Sequence, residues 1–337
     1  MNAAALIRRR SGAPVIDFHT HILLQDVCEL VKRERAGTPE AGLVDGFIKN
    51  AAAQRARHPR GARDELHARL ADMDEQGIDL QLVFCHVAQY CYWAEPGRGA
   101  ELARMQNDRL AEFVQRKPER LMGMGFVPLQ HPQAAVAEVR RMVRELGFRA
   151  VALSSHAPGM ELGDPRLMPF WAEVEQLGIP AFIHPAGHAD PRFAKFLMWN
   201  GVGQPIEEAI AMSSLIYEGT LERFPKLKIG VAHGGGFLPY YAGRVDRNFR
   251  AQPAATPNND RCPSEYMPRF FYDTVVYNLD MLEFLVHKVG AGRIVLGGDY
   301  PVGEDNPVAF VKRAKISAEA KRAILGGNAA RLLGLES

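Results

Sequence analysis

Short runs of apolar and β-branched residues recur through the chain, and most are followed by a stretch whose apolar positions repeat at i, i+3 and i+4. When strands alternate with helices in this way, each crossover carries the chain back to the end it started from. The pattern therefore requires a parallel sheet covered by helices. Eight runs are readable: PVIDF at 14–18, LQLVFC at 80–85, LMGMGFV at 121–127, RAVALS at 149–154, PAFIH at 180–184, LKIGVAH at 227–233, FFYDTVV at 270–276 and RIVLGGD at 293–299. Eight units suggest a closed barrel, and 337 residues hold one such barrel with an insertion. A doubly wound open sheet shares the alternation, but its usual order has about six strands, and no GxGxxG follows the first run. The expected fold class is α/β, a (β/α)8 TIM barrel.

The helical stretches are punctuated as the pattern requires. ELHARLADMDEQG, AAVAEVRRMVRELG and MPFWAEVEQLG end in Gly77, Gly147 and Gly178, where a left-handed C-cap is wanted. About 60 residues separate the first two runs, more than one crossover helix needs, and the basic segment QRARHPRGARDE lies among them. A small insertion after the first strand, about residues 22–65, is expected over the barrel mouth. Residues 14–337 are expected to form a single barrel domain. In the opening MNAAALIRRRSGAP the apolar stretch is short and precedes the arginines, the reverse of a secretory signal, so 1–13 is expected to be a disordered leader.

Charge narrows the partners. Forty-one Lys and Arg against 39 Asp and Glu give +2 with no long basic run, which points away from nucleic acid and from an anionic membrane surface. No apolar run reaches about 18 residues, so no membrane span is expected. A small-molecule partner is. Cys28, Cys85, Cys91 and Cys262 form no CxxC pair, which suggests a reducing, cytoplasmic setting and no thiolate metal site.

The chemistry gathers at the ends of the runs. In Asp17-Phe18-His19-Thr20-His21 the period of two sends His19 and His21 to one face and Phe18 and Thr20 to the other. Two imidazoles can share one ion there, although the tripeptide alone equally fits a pair of hydrogen-bonded strand histidines. His184 ends the fifth run, His233 the sixth and Asp299 the eighth. Buried imidazoles and carboxylates need partners, and a shared cation at the C-terminal mouth would supply one to all of them. A nitrogen-rich set with one carboxylate suits zinc and is also acceptable to manganese, iron or cobalt. Asp17 is a candidate to orient a ligand histidine. His86, at the end of the second run, reads either as a pocket residue or as a loop histidine.

Taken together, DFHTHIL, MDEQG, CYWAEP, IHPAG, FPKLKIGVAHGGGFLPYYAGR, VLGGDYP and GNAARLLGL resemble the amidohydrolase-2 branch of the metal-dependent hydrolase superfamily, and within it the non-oxidative decarboxylases, from about residue 14 to the end. The resemblance implies that His19, His21, His184 and Asp299 bind one divalent metal ion, zinc with manganese as the alternative. It makes His233 catalytic together with Asp299. It places a carboxylate-binding arginine at Arg244, often supplied across a homodimer, and a second in the first loop, Arg60 with Arg57 and Arg63 as alternatives. Trp199 matches a pocket tryptophan before the Gly203-Gln204-Pro205 turn, and His156 a pocket position. The implied activity is decarboxylation of a conjugated or aromatic carboxylic acid, with a metal-bound water or the coordinated substrate activated together with His233. A hydrolase or hydratase acting on a ring-cleavage product is the alternative. Two motifs depart from these decarboxylases: His184-Pro185-Ala186 stands where they read HPW, and DYPVGEDNP where they read close to DYPFPLGE.

Overall fold

The structure is a computed structural model that describes residues 14–55, 65–186, 190–252, 254, 256 and 258–335. Residues 1–13, expected to be a leader, and the segment that carries Arg57, Arg60 and Arg63 lie outside the described residues.

Eight parallel strands form a ring. β1 (Ile16–Ile22) leads through α1 (Gln25–Glu34), α2 (Pro39–Arg55) and α3 (Glu65–Gln76) to β2 (Leu80–Cys85) and α4 (Pro96–Gln115). β3 is interrupted at Met124, running as Leu121–Gly123 and Gly125–Phe126, and is followed by α5 (Pro132–Arg144), β4 (Val151–Leu153) and α6 (Met168–Leu177). Then come β5 (Pro180–Ile183), α7 (Gln204–Tyr217), β6 (Lys228–Val231), α8 (Leu238–Ala251), β7 (Phe270–Asp273), α9 (Leu279–Val289) and β8 (Ile294–Val295). Every strand from β1 to β8 pairs in parallel with the next. The ring closes where Phe18 N donates to Leu296 O at 2.8 Å, Asp299 N to His19 O at 2.8 Å, and Thr20 bridges Tyr300. All eight expected runs contribute a strand, and the (β/α)8 barrel is the fold.

The sequence shows why these elements form. α4 begins with Pro96 in its first turn, where a missing N–H costs nothing, and buries Leu102, Ala103, Gln106, Asn107, Leu110 and Val114 on one stripe. Asn107 on that stripe bonds both backbone groups of Phe126 at 2.8 Å, which satisfies the sheet beside the break in β3. Gly77, Gly147 and Gly178 all have positive φ, as the C-cap reading requires. At the base of the barrel, a Cβ on Gly326 would lie 1.7 Å from Pro14 O, so only glycine lets the C-terminal helices seal against the start of β1.

One expectation about β1 needs correction. The strand carries an extra residue between Asp17 and Thr20, so strict alternation fails. Phe18, expected on the face away from His19, lies 5.6 Å from Phe182, the same ring that His19 meets at 5.2 Å. Phe18, Phe84 and Phe182 thus form an aromatic layer inside the barrel, directly beneath the histidines.

Candidate metal centre

His19, His184, His233 and Asp299 each offer a ligand atom, and these atoms all lie within 4.8 Å of one another. His21 stands beside them, its Nε2 3.2 Å from His19 Nε2 and 3.0 Å from Asp299 Oδ1. Five residues from four strand ends therefore converge at the C-terminal mouth.

Each is fixed by its own element. The mouth end of β1 is held by the buried Arg69 of α3, which donates to Thr20 Oγ1 at 3.3 Å, Gln81 Oε1 at 3.1 Å and His21 O at 2.5 Å. His19 Nδ1 faces Asp273 Oδ2 at 2.6 Å, which directs Nε2 toward Asp299 Oδ1, 3.2 Å away. His184 Nδ1 lies 3.0 Å from Pro185 O. A carbonyl can only accept, so Nδ1 carries the hydrogen and Nε2 is a bare lone pair. That Nε2 is buried with no partner among the described residues. His233 adopts φ 48°, and positive φ continues through Gly234, Gly235 and Gly236, so the HGGG segment turns tightly while Gly234 N donates to Asp273 Oδ1 at 3.0 Å. His233 Nδ1 is 2.5 Å from Glu208 Oε1, and Nε2 is 3.9 Å from Asp299 Oδ2.

The electrostatics favour positive charge at this point. Burial opposes a charge on His19, yet the Asp299 and Asp273 carboxylates outweigh it and lift the imidazole to about 10. Burial, reinforced by its charged neighbours His19 and His233, holds His21 down at about 4, and burial with the neighbouring histidines keeps His184 well below the ordinary histidine value. Burial also works against the Asp299 carboxylate, but His19 and His21 hold it well below the usual range. The donor set fits a divalent ion. The buried unpartnered His184 Nε2, the two histidine Nε2 atoms 3.2 Å apart and the adjacent carboxylate converge as donors that one shared cation would satisfy together.

His233 and Asp299 open into a cavity of about 520 Å³ whose other walls include Tyr240, Val275, Val276 and Met281. A second cavity of about 370 Å³, lined by Asp17, Asp72 and Glu304, holds none of the histidines. Asn200 and Gln204 line the first cavity, whereas Trp199 is half-buried and outside its lining. His156 bonds Glu207 Oε2 at 2.9 Å, and the same oxygen accepts from Ser155 Oγ at 2.8 Å. Arg244 is exposed on α8, also outside the lining. His86 stacks on Phe47 of α2 at 3.8 Å, and its Nδ1 accepts from Ala88 N.

Asp17 is placed differently from its expected role. Its carboxylate accepts from the backbone of His19 at 3.2 Å and Gly298 at 2.9 Å, joining β1 to the segment after β8, while Asp273 takes the His19 ring. Asp273 and Glu208 were both missed from sequence. Asp273 had a signal, an acid in the middle of the apolar seventh run FFYDTVV, and the structure ends β7 there. Glu208 had none, being the second acid of a Glu-Glu pair inside a helix.

Comparison with known proteins places this geometry in context. Residues 16–335 match the family described as amidohydrolase. The chain is 35% identical to 2-amino-3-carboxymuconate-6-semialdehyde decarboxylase of Dictyostelium discoideum, over 95% of this chain and 92% of that one. Among solved structures, 5-carboxyvanillate decarboxylase of Sphingomonas paucimobilis superposes with a TM-score of 0.85 at 26% identity, covering 96% of this chain and all (100%) of the other. Dihydroxybenzoic acid decarboxylase of Polaromonas sp. JS666, solved with bound manganese and the inhibitor 2-nitroresorcinol, superposes with a TM-score of 0.80 at 25% identity, covering 96% and 97%.

Proposed function

The chain belongs to the amidohydrolase family, and from that membership and its mouth cluster we propose that it is a metal-dependent, non-oxidative decarboxylase of a conjugated or aromatic carboxylic acid. The observation that carries this reading is the cation-seeking cluster of His19, His184, His233 and Asp299 beneath a cavity with aromatic and apolar walls. The three relatives named above are decarboxylases of such acids, which supports the substrate class.

His19, His184 and Asp299 of that cluster, with His21 beside them at 3.0 Å from Asp299 Oδ1, would hold the ion and leave His233 for catalysis; zinc suits the donor type, with manganese as the alternative that the Polaromonas structure illustrates. When bound, a divalent ion supplies Lewis acidity toward a coordinated oxygen. The remaining work belongs to side chains. Decarboxylation exchanges a C–COO⁻ bond for C–H: one proton enters at the carbon, carbon dioxide departs and the bonding pair stays with the conjugated system. His233 Nε2 and Asp299 Oδ2, 3.9 Å apart beside the cavity, are the groups that can hold and deliver that proton. Residues 14–337 act as one domain in this reading; Trp199 and His156, the expected pocket positions, lie outside the cavity lining and would meet only a substrate that extends beyond it. Four free cysteines agree with a cytoplasmic setting, and no helix among the described residues is long and apolar enough to cross a membrane.

Arg60 and Arg244 would bind carboxylate through the guanidinium fork. Arg244 faces solvent one turn beyond the cavity residue Tyr240, and Phe196 (90% exposed), Leu197 (72%) and Tyr241 (65%) leave apolar surface on neighbouring segments. This favours a homodimer in which Arg244 serves the partner's site. Sedimentation is expected to show a dimer, and Arg244→Ala to raise KM for the acid about tenfold or more without loss of metal. A fully active monomer would end the shared-site reading.

The experiment for the activity is carbon dioxide release by zinc- or manganese-reconstituted enzyme across carboxylated muconate semialdehydes and hydroxybenzoic acids. Release is expected from at least one ring or muconate type. A metal-loaded enzyme that releases none, yet adds water to a ring-cleavage product, would make it a hydratase or hydrolase.

A further inference from the structure

Glu208 sits on the fifth residue of α7, fully buried, and its one hydrogen bond among the described residues runs to His233 Nδ1. Its second oxygen, Oε2, is buried with no partner among them. A carboxylate so placed costs stability, and an apolar side chain would suit the helix better, so packing does not explain its presence. The turn after β6 is shaped around it. A Cβ on Gly236 would lie 2.8 Å from Glu208 Oε2 and 2.3 Å from Pro205 O, so the third glycine of HGGG clears the space through which the carboxylate reaches the imidazole.

A carboxylate accepts and does not donate, so the contact with Nδ1 places a hydrogen on that nitrogen and leaves Nε2 on the side of Asp299 and the cavity. Glu208 thus bonds the ring at Nδ1, and Asp299 flanks it at Nε2, 3.9 Å away. We propose that Glu208 is a positioning residue for His233: it selects the Nδ1–H tautomer, aims Nε2 at the reacting carbon and balances the positive charge the ring carries while it holds the proton at Nε2. The proposal rests on the decarboxylase reading for the identity of that carbon, and on the Glu208 contact alone for the tautomer.

The test uses the full chain loaded with zinc, as Glu208→Ala and Glu208→Gln. Three quantities are read: zinc per chain, the separate kcat and KM for carbon dioxide release, and the histidine ring nitrogen shifts, with His233 assigned by its loss in His233→Ala. Both variants are expected to keep zinc. Glu208→Ala is expected to lose about 10–100-fold in kcat at nearly unchanged KM, the range typical of an outer partner, and its His233 nitrogens to shift toward a tautomer mixture. Glu208→Gln keeps an acceptor oxygen but no charge, so it should retain the tautomer and fall between the two in kcat. It also carries the test if the alanine variant does not fold. Unchanged kcat, unchanged His233 nitrogens in Glu208→Ala, or loss of zinc with the tautomer intact would each overturn the proposal. If wild-type enzyme holds zinc but releases no carbon dioxide, the decarboxylase reading fails, and the nitrogen shifts still decide the role of Glu208.

Discussion

His184→Ala is expected to release the metal and abolish turnover together. His184 directly follows β5 with Nδ1 committed to Pro185 O, and its Nε2 is buried facing the cluster, unsatisfied by any described protein group. The ring centroids of His19 and His21 lie 4.8 and 4.7 Å from it, all edge-on, so a shared ion answers the orphaned nitrogen and the crowding at once. Removing a partner that merely supports a ligand costs about 10–100-fold in metal affinity or activity, and removing a ligand should exceed that range. Zinc per chain, measured after exhaustive dialysis, should fall from one toward zero, and carbon dioxide release should fall with it. Stoichiometric zinc with lost turnover would shift the third nitrogen to His233, the other imidazole whose ring nitrogen lies within the same 4.8 Å group.

That outcome depends on features legible before any coordinates. The strand–helix alternation was readable because each β-strand is short, apolar and punctuated by glycine, and the C-terminal mouth follows from the fold once the strands are known. His19, His184, His233 and Asp299 were visible because each closes or directly follows a strand-like run, so a one-dimensional position maps to one height in the barrel. Two kinds of information were hidden. The extra residue in β1 cannot be seen from DFHTHI, since a bulge is defined by what the neighbouring strand does opposite it. The partners of the histidines were partly hidden because each contact crosses sequence: His19 meets Asp273 across 254 positions and His233 meets Glu208 across 25. Asp17, beside His19 in sequence, looked the better orienting group, but its carboxylate is spent on the backbone of His19 and Gly298. Glu208 is the harder case, because a second acid on a helix with an acidic neighbour reads as surface charge.

His233→Ala should separate chemistry from metal binding, in contrast to His184→Ala. The Nδ1 of His233 is taken by Glu208 and its Nε2 stands 3.9 Å from Asp299, on the cavity side of the cluster. Loss of a group that holds and delivers a proton costs about 10²–10⁴-fold in rate, and because the group does not anchor the acid, the loss should fall on kcat and leave KM and zinc content near wild type. The alanine variant also strips Glu208 of its one partner among the described residues, leaving a buried carboxylate whose pKa burial already pushes up to about 7. An unsatisfied buried acceptor costs about 1–3 kcal/mol, so the urea midpoint should fall as well, and the two effects need to be told apart. His233→Gln does this. Its amide can donate to Glu208 and restore the midpoint, but it cannot take up and return a proton. Turnover that recovers along with stability would reduce His233 to a packing residue, whereas restored stability with turnover still absent leaves proton transfer as the function of the ring.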